Sequence, residues 1–165
     1  ANGGVLERVG ASDQIGSAQG MALADQGRAL IVADYGSGLH RIDLATGEDE
    51  PITEPDAFTL TGIDGVVADG GDLIVIQNGS LPQRVVRLTL SPDARNVRSA
   101  RVLLANPKLA GGEADLTLGA VAGTGEGRAF IFVARSGWAA VGDKGAMTHQ
   151  AAAAPASVGW LDLAG

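Results

Sequence analysis

At 165 residues with 45% hydrophobic content, the chain is long enough for one domain with a buried core, and its composition excludes a disordered polymer. Twelve Lys and Arg against nineteen Asp and Glu leave a net charge of −7, which repels phosphate backbones and anionic lipid surfaces and counts against nucleic-acid and membrane partners. No apolar run approaches the roughly 18–20 residues of a membrane span, so a soluble chain is expected.

The absence of cysteine removes disulfides and thiolate metal sites, and His40 and His149 are too far apart in sequence for a zinc-type pair. Aromatic residues make up only 4% while glycine reaches 25 residues, so the core must come from Val, Leu, Ile and Ala in short elements punctuated by turns. That is an all-β composition. A start at Ala1 rather than Met reads as a processed product or a piece of a longer polypeptide.

In chain order, a short strand is expected over Val5–Val9. The segment from Gly20 to Asp34 then reads as two strands joined through Asp25-Gln26-Gly27, followed by a third, alternating strand over Gly38–Leu44. The same pattern returns from Gly65 to Asn78 around Asp69-Gly70-Gly71, followed by Arg84–Leu90. A more worn copy runs from Gly119 to Arg135 around Gly125-Glu126-Gly127, followed at a distance by Ser157–Leu163. Apolar residues cluster or alternate in these segments rather than recurring at three and four, which excludes helices. Fourth strands fit Asp49–Glu54 and Val97–Leu104.

A repeat of this length is the signature of a propeller. Twelve strands make three four-stranded antiparallel blades, spanning about 15–54, 60–104 and 114–165, with the N-terminal strand at 5–9 closing the last blade. The chain reads as half of a six-bladed β-propeller. Three blades leave two open ends, so a companion half or a second copy of the chain is the expected partner.

The blade pattern places Asp34-Tyr35, Gln77-Asn78 and Arg135 through Trp138 where the second strand of each copy ends, at one mouth. Acid, amide, base and aromatic groups there suit a small polar ligand, a polyol or a carboxylated molecule, while aromatic residues at such loops equally serve as packing lids. Asp64, before Gly65, has four readings: a cation ligand, a general base, an acceptor of a hydrogen bond from a neighbouring strand, or a turn former in Asp-Gly. His40 alternates with Leu39 and Ile42 and is expected on a solvated strand face. No Gly-x-Ser-x-Gly elbow is present, and no motif brings a serine to either histidine, so Ser-His-Asp chemistry is not expected. Gly123-Thr124-Gly125-Glu126-Gly127 lacks a Lys-Ser/Thr ending and leads into a strand, so it reads as a hairpin turn rather than a phosphate loop.

The stretches Leu60–Gly65, Leu73–Gly79, Pro82–Leu88 and Val32–Gly47 resemble the senescence-marker-protein and gluconolactonase group of NHL-like propellers, with this chain corresponding to the C-terminal half. The resemblance implies a central channel in which a divalent cation, commonly calcium, is held by one Glu, two Asn and one Asp. By position Asp64 matches the Asp, and Gln19, before Gly20, stands where an Asn belongs; Leu118 stands at the corresponding point of the third copy and cannot ligate. The remaining ligands belong to the other half. Two functions follow as expectations: a ligand- or partner-binding propeller segment, or half of a calcium-dependent lactonase-like hydrolase whose channel site is completed by another half or subunit.

Overall fold

The computed structural model describes residues 4, 7–109, 112–135 and 156–163. The first sheet runs in order through β1 (Ala18–Ala24), β2 (Ala29–Asp34), β3 (Gly38–Asp43) and β4 (Asp49–Pro51). The second repeats it with β5 (Ile63–Asp69), β6 (Asp72–Gln77), β7 (Arg84–Leu90) and β8 (Val97–Ala105). A two-stranded ribbon, β9 (Lys108–Leu109) with β10 (Gly112–Glu113), leads to a third sheet of β11 (Gly119–Ala122), β12 (Ala129–Arg135) and β13 (Ser157–Asp162). Every pairing within the sheets is antiparallel between chain neighbours.

Local chemistry explains the elements. β2 and β6 are near-continuous apolar runs because they are central strands covered on both faces; Ile31, Ala33, Leu73, Ile74, Val75 and Ile76 are all buried. β1 and β13 alternate in burial, as strands with one covered face do. Asp69 pairs with Asp72 across the two-residue turn Gly70-Gly71, and Gly70 supplies the positive φ (66°) that such a hairpin requires.

The sheets stack face to face through two apolar layers. Ile31, Ala33 and Leu39 of the first sheet pack with Val66, Leu73, Val75, Val86 and Leu88 of the second. Ile74, Ile76 and Val85, from the other face of the second sheet, pack with Phe130, Phe132 and Ala134 of the third. The innermost strands approach closely: a Cβ on Gly20 would lie 2.6 Å from the Asp64 carbonyl oxygen, and one on Gly65 would lie 2.7 Å from that of Thr117. Glycine at these two points lets successive blades meet at the axis. The stacking is that of propeller blades.

The N-terminal segment departs from expectation. Residues 5 and 6 lie outside the described residues, while residues 7–10 form no strand. Val9 and Gly10 run against Gly47, where a Cβ would lie 2.4 Å from the Val9 carbonyl oxygen, so this segment sits at the first sheet rather than the last. The third sheet has three strands among the described residues. Glu7-Arg8 interrupts the apolar pattern and leaves too little apolar surface to favour a buried edge position. The first fourth strand is also shorter than expected, with β4 ending at Pro51, although Ile52 N still donates to Leu39 O of β3 at 2.8 Å.

Candidate binding recess

Where the three inner strands begin, a polar recess of about 590 Å³ opens between the blades. The first sheet contributes Gln19 and Tyr35, the second Asp64, Asn78 and Gln83, and the approach to the third Asp115 and Thr117. Gln19 reaches it because β1 carries a register shift between Ala18 and Met21, which turns the intervening residues out of the ladder. Asp64 lies at the matching irregularity of β5, between Ile63 and Gly65.

Asn78 organises the second and third blades around this point. Its Nδ2 donates to Asp64 Oδ2 at 2.8 Å and to the Leu116 carbonyl oxygen at 2.7 Å. Gln83 Oε1 accepts from the Leu116 N–H at 2.9 Å, so two side chains of the second blade hold both backbone groups of one residue leading into the third. Asp115 and Thr117 flank that clamp. With both acceptors on its nitrogen, the Asn78 amide cannot turn over, and its Oδ1 is buried with no hydrogen-bond partner among the described residues.

Burial pushes the Asp64 carboxyl above its ordinary value; the Asn78 hydrogen bond opposes the shift and the nearby Asp115 charge adds to it. The Tyr35 phenol is raised first by burial, then by the charges of Asp64 and Asp115. No Lys or Arg lines the recess among the described residues. The site therefore favours groups that donate hydrogen bonds and disfavours anions.

Other residues singled out in the sequence lie elsewhere. Asp34 is buried, and its carboxylate receives the N–H groups of Gly16, Ser17, Gly36 and Ser37. Gln77 is fully buried; its Nε2 donates to the carbonyl oxygens of Thr59 and Thr61, at 3.0 and 2.6 Å, while its Oε1 accepts from Arg84 Nε at 2.7 Å. Both bind loops of their own chain. Trp138 lies outside the described residues. Arg135 ends β12 and does not line the recess. Leu118 lines it as an apolar wall.

His40 is buried rather than solvated, with Nε2 2.8 Å from Ser37 Oγ and Nδ1 3.0 Å from Asp49 Oδ1. The strand turn brings a serine and a histidine together three residues apart, which no hydrolase motif would disclose. This array does not make a nucleophile. Ser37 Oγ lies 2.9 Å from Asp34 Oδ1, so a developing alkoxide would face a carboxylate, and the adjacent N–H groups that would have to stabilise an oxyanion already serve Asp34.

Asp115, Gln83 and Thr117 are the recess residues that sequence reasoning passed over. The available signal was an acid in the alternating run Asp115-Leu116-Thr117-Leu118 just before an inner strand. Aligning the copies on their glycines drew attention to Leu118 instead.

The described residues of this chain do not by themselves make a calcium centre. Calcium takes about six to eight oxygens, whereas no group of three His, Cys, Asp or Glu residues suited to a metal exists among the described residues. Asn78 also turns its nitrogen, not its oxygen, toward Asp64.

No protein-family model matches the chain, and neither does any curated protein. Among solved structures, the PQQ-bound form of an aldose sugar dehydrogenase from Streptomyces coelicolor is similar, with a TM-score of 0.57 and 18% identity over 78% of this chain and 40% of that one. The apo form of a soluble aldose sugar dehydrogenase from Escherichia coli is similar too, with a TM-score of 0.54 and 17% identity over the same shares. At this identity the likeness speaks for the fold alone: the chain is a β-propeller segment spanning about 40% of the length of these structures.

Proposed function

We propose that this chain is a binding segment of a propeller whose recess takes a small, neutral polyhydroxylated ligand. The supporting observation is the convergence of Asp64, Asp115, Asn78, Gln19 and Tyr35 from three blades on one recess without a lining cation among the described residues. Carboxylates accept hydrogen bonds from vicinal hydroxyls, and a half-exposed tyrosine ring offers a face for an apolar sugar surface. A sugar-like ligand also agrees with the names of the two similar propellers, an analogy drawn from fold.

Saturation-transfer NMR with glucose, galactose and xylose, with gluconate as the anionic control, tests this reading. Transfer to a neutral sugar that disappears in Asp64→Ala, with none to gluconate, is the expected result. Equal transfer in wild type and variant, or none in either, overturns it.

The binding unit is proposed to need further blades, from a companion half or a second copy. Met21 and Leu23 are exposed on the first sheet, and Val158 and Trp160 on the third, so apolar side chains face outward at both ends of the stack. Sedimentation of the isolated chain is expected to show a dimer or larger species; a monodisperse monomer at micromolar concentration removes the second copy as the partner.

A further inference from the structure

A closed circuit of polar contacts joins residues 10–18 to the first sheet. Asp34 Oδ2 accepts from Gly16 N at 2.7 Å and Ser17 N at 2.5 Å. Its Oδ1 accepts from Gly36 N at 3.0 Å, Ser37 N at 2.8 Å and Ser37 Oγ at 2.9 Å. One oxygen thus serves the N-terminal segment and the other serves the β2–β3 turn, a division that only a carboxylate can make. From Ser37 the circuit continues to His40 Nε2, from His40 Nδ1 to Asp49, and from Asp49 to Ser12 Oγ, back on the segment where it began. Asp49 being an acceptor, His40 Nδ1 is the donor there.

Beneath the segment, apolar packing is incomplete. An open groove of about 300 Å³, lined by Ile15, Ala18, Met21, Val32 and Ile42 together with Ser12 and Asp49, runs between it and the sheet. A strap bordered by an open groove has few packing contacts and depends on its polar ends more than on them. Its far end runs straight into the recess. Ser17 O accepts from Tyr35 N at 3.0 Å, and two residues later comes Gln19, at the β1 register shift.

We propose that Asp34 is a positioning residue for the recess: it latches residues 10–18 as a strap across the outward face of the first sheet, and unlatching the strap withdraws Gln19 and Tyr35 from the site. The latch acts on geometry alone, so it holds whichever ligand the recess takes.

Hydrogen–deuterium exchange and alkaline titration of Tyr35, the only tyrosine in the chain, test the coupling in the full chain. In Asp34→Asn, the Gly16 and Ser17 amides are expected to exchange roughly tenfold faster or more. The Tyr35 titration is expected to move down toward the ordinary phenol value as the ring is released, while β6 amides stay protected. Ser37→Ala, at an exposed residue, breaks the circuit without removing Asp34 and is expected to give smaller changes in the same two readouts. Faster exchange without movement of the Tyr35 titration overturns the coupling, and unchanged exchange in a folded Asp34→Asn overturns the latch. Should Asp34→Asn fail to fold, Ser37→Ala decides, with no change in either readout overturning the proposal.

Discussion

Asn78 donates a hydrogen bond through Nδ2 to Asp64 Oδ2 at 2.8 Å, yet the Asp64 carboxyl is raised above its ordinary value because burial outweighs that bond. The sign of the consequence follows from linkage: the fold binds the protonated form better than the unfolded chain does. The contribution is therefore fully present below the ordinary carboxylate value and is lost as pH rises through the raised one. Asp64→Asn keeps an acceptor for Asn78 but cannot ionise. Between about pH 3 and about pH 7, wild type is expected to lose stability relative to Asp64→Asn, read from urea midpoints. An unchanged difference across that range speaks against a raised Asp64.

Asp34 has the opposite sign. The Ser17 N–H, aided by those of Ser37 and Gly36 and by the Ser37 hydroxyl, holds its carboxyl well below the usual carboxylate range despite burial. Its stabilisation is present above the unfolded value and disappears as pH falls through the folded one. Acid unfolding monitored by circular dichroism is expected to be less steep in Asp34→Asn than in wild type, starting from a lower stability at neutral pH.

Calcium provides a direct comparison with the hydrolase reading. With the Asn78 nitrogen turned toward Asp64, calorimetric titration is expected to show binding no tighter than roughly millimolar, unaltered by Asn78→Ala. Sub-millimolar binding lost in Asp64→Ala would restore the lactonase-type site.

Asp69 is fully buried and pairs with Arg87 at 2.7 Å and with Arg128, in the turn that leads into β12. Asp69→Ala leaves both guanidinium groups without this partner and is expected to cost about 3 kcal/mol in urea unfolding. Phe130, 1% exposed and stacked with Phe132 at a centroid distance of 5.7 Å, fills the same interface. Phe130→Ala is expected to cost about 3–5 kcal/mol.

At Gly79 a Cβ would lie 2.5 Å from the Gly62 Cα and 2.9 Å from the Tyr35 hydroxyl oxygen. Gly79→Ala is expected to separate the two loops, displace the Tyr35 ring and cost about 1–3 kcal/mol. The check is a Tyr35 titration that shifts downward together with a lowered unfolding midpoint.

The propeller was legible because its signals are local. Asp69-Gly70-Gly71 between apolar strands states a hairpin, and recurrence of that hairpin states a blade. Tyr35 and Asn78 were legible as one set, and Gln19 and Asp64 as another, because the repeat sets equivalent strand ends side by side; that both sets line one recess is shown only by the structure. Asp34 and Gln77 stand at equivalent ends too, but sequence does not show which way a strand-end side chain turns: Gln77 turns toward the carbonyl oxygens of Thr59 and Thr61, and Asp34 toward the N–H groups of Gly16 and Ser17 as well as those of its own turn. His40 shows the same limit. Alternation suggested a solvated face, but residues 10–18 cover that face, a contact between segments that no periodicity encodes.

Thr53 and Asn96 form an isolated parallel bridge between the rims of the first and second sheets, with Thr53 N donating to Arg95 O at 3.0 Å and Val97 N donating to Thr53 O at 3.1 Å. These two blades are thus buttoned at the periphery as well as packed at the axis, whereas the described residues give no corresponding rim bridge to the third. Under mild denaturation the first pair should open as a single cooperative foldon, and the third blade should be the piece that detaches ahead of it.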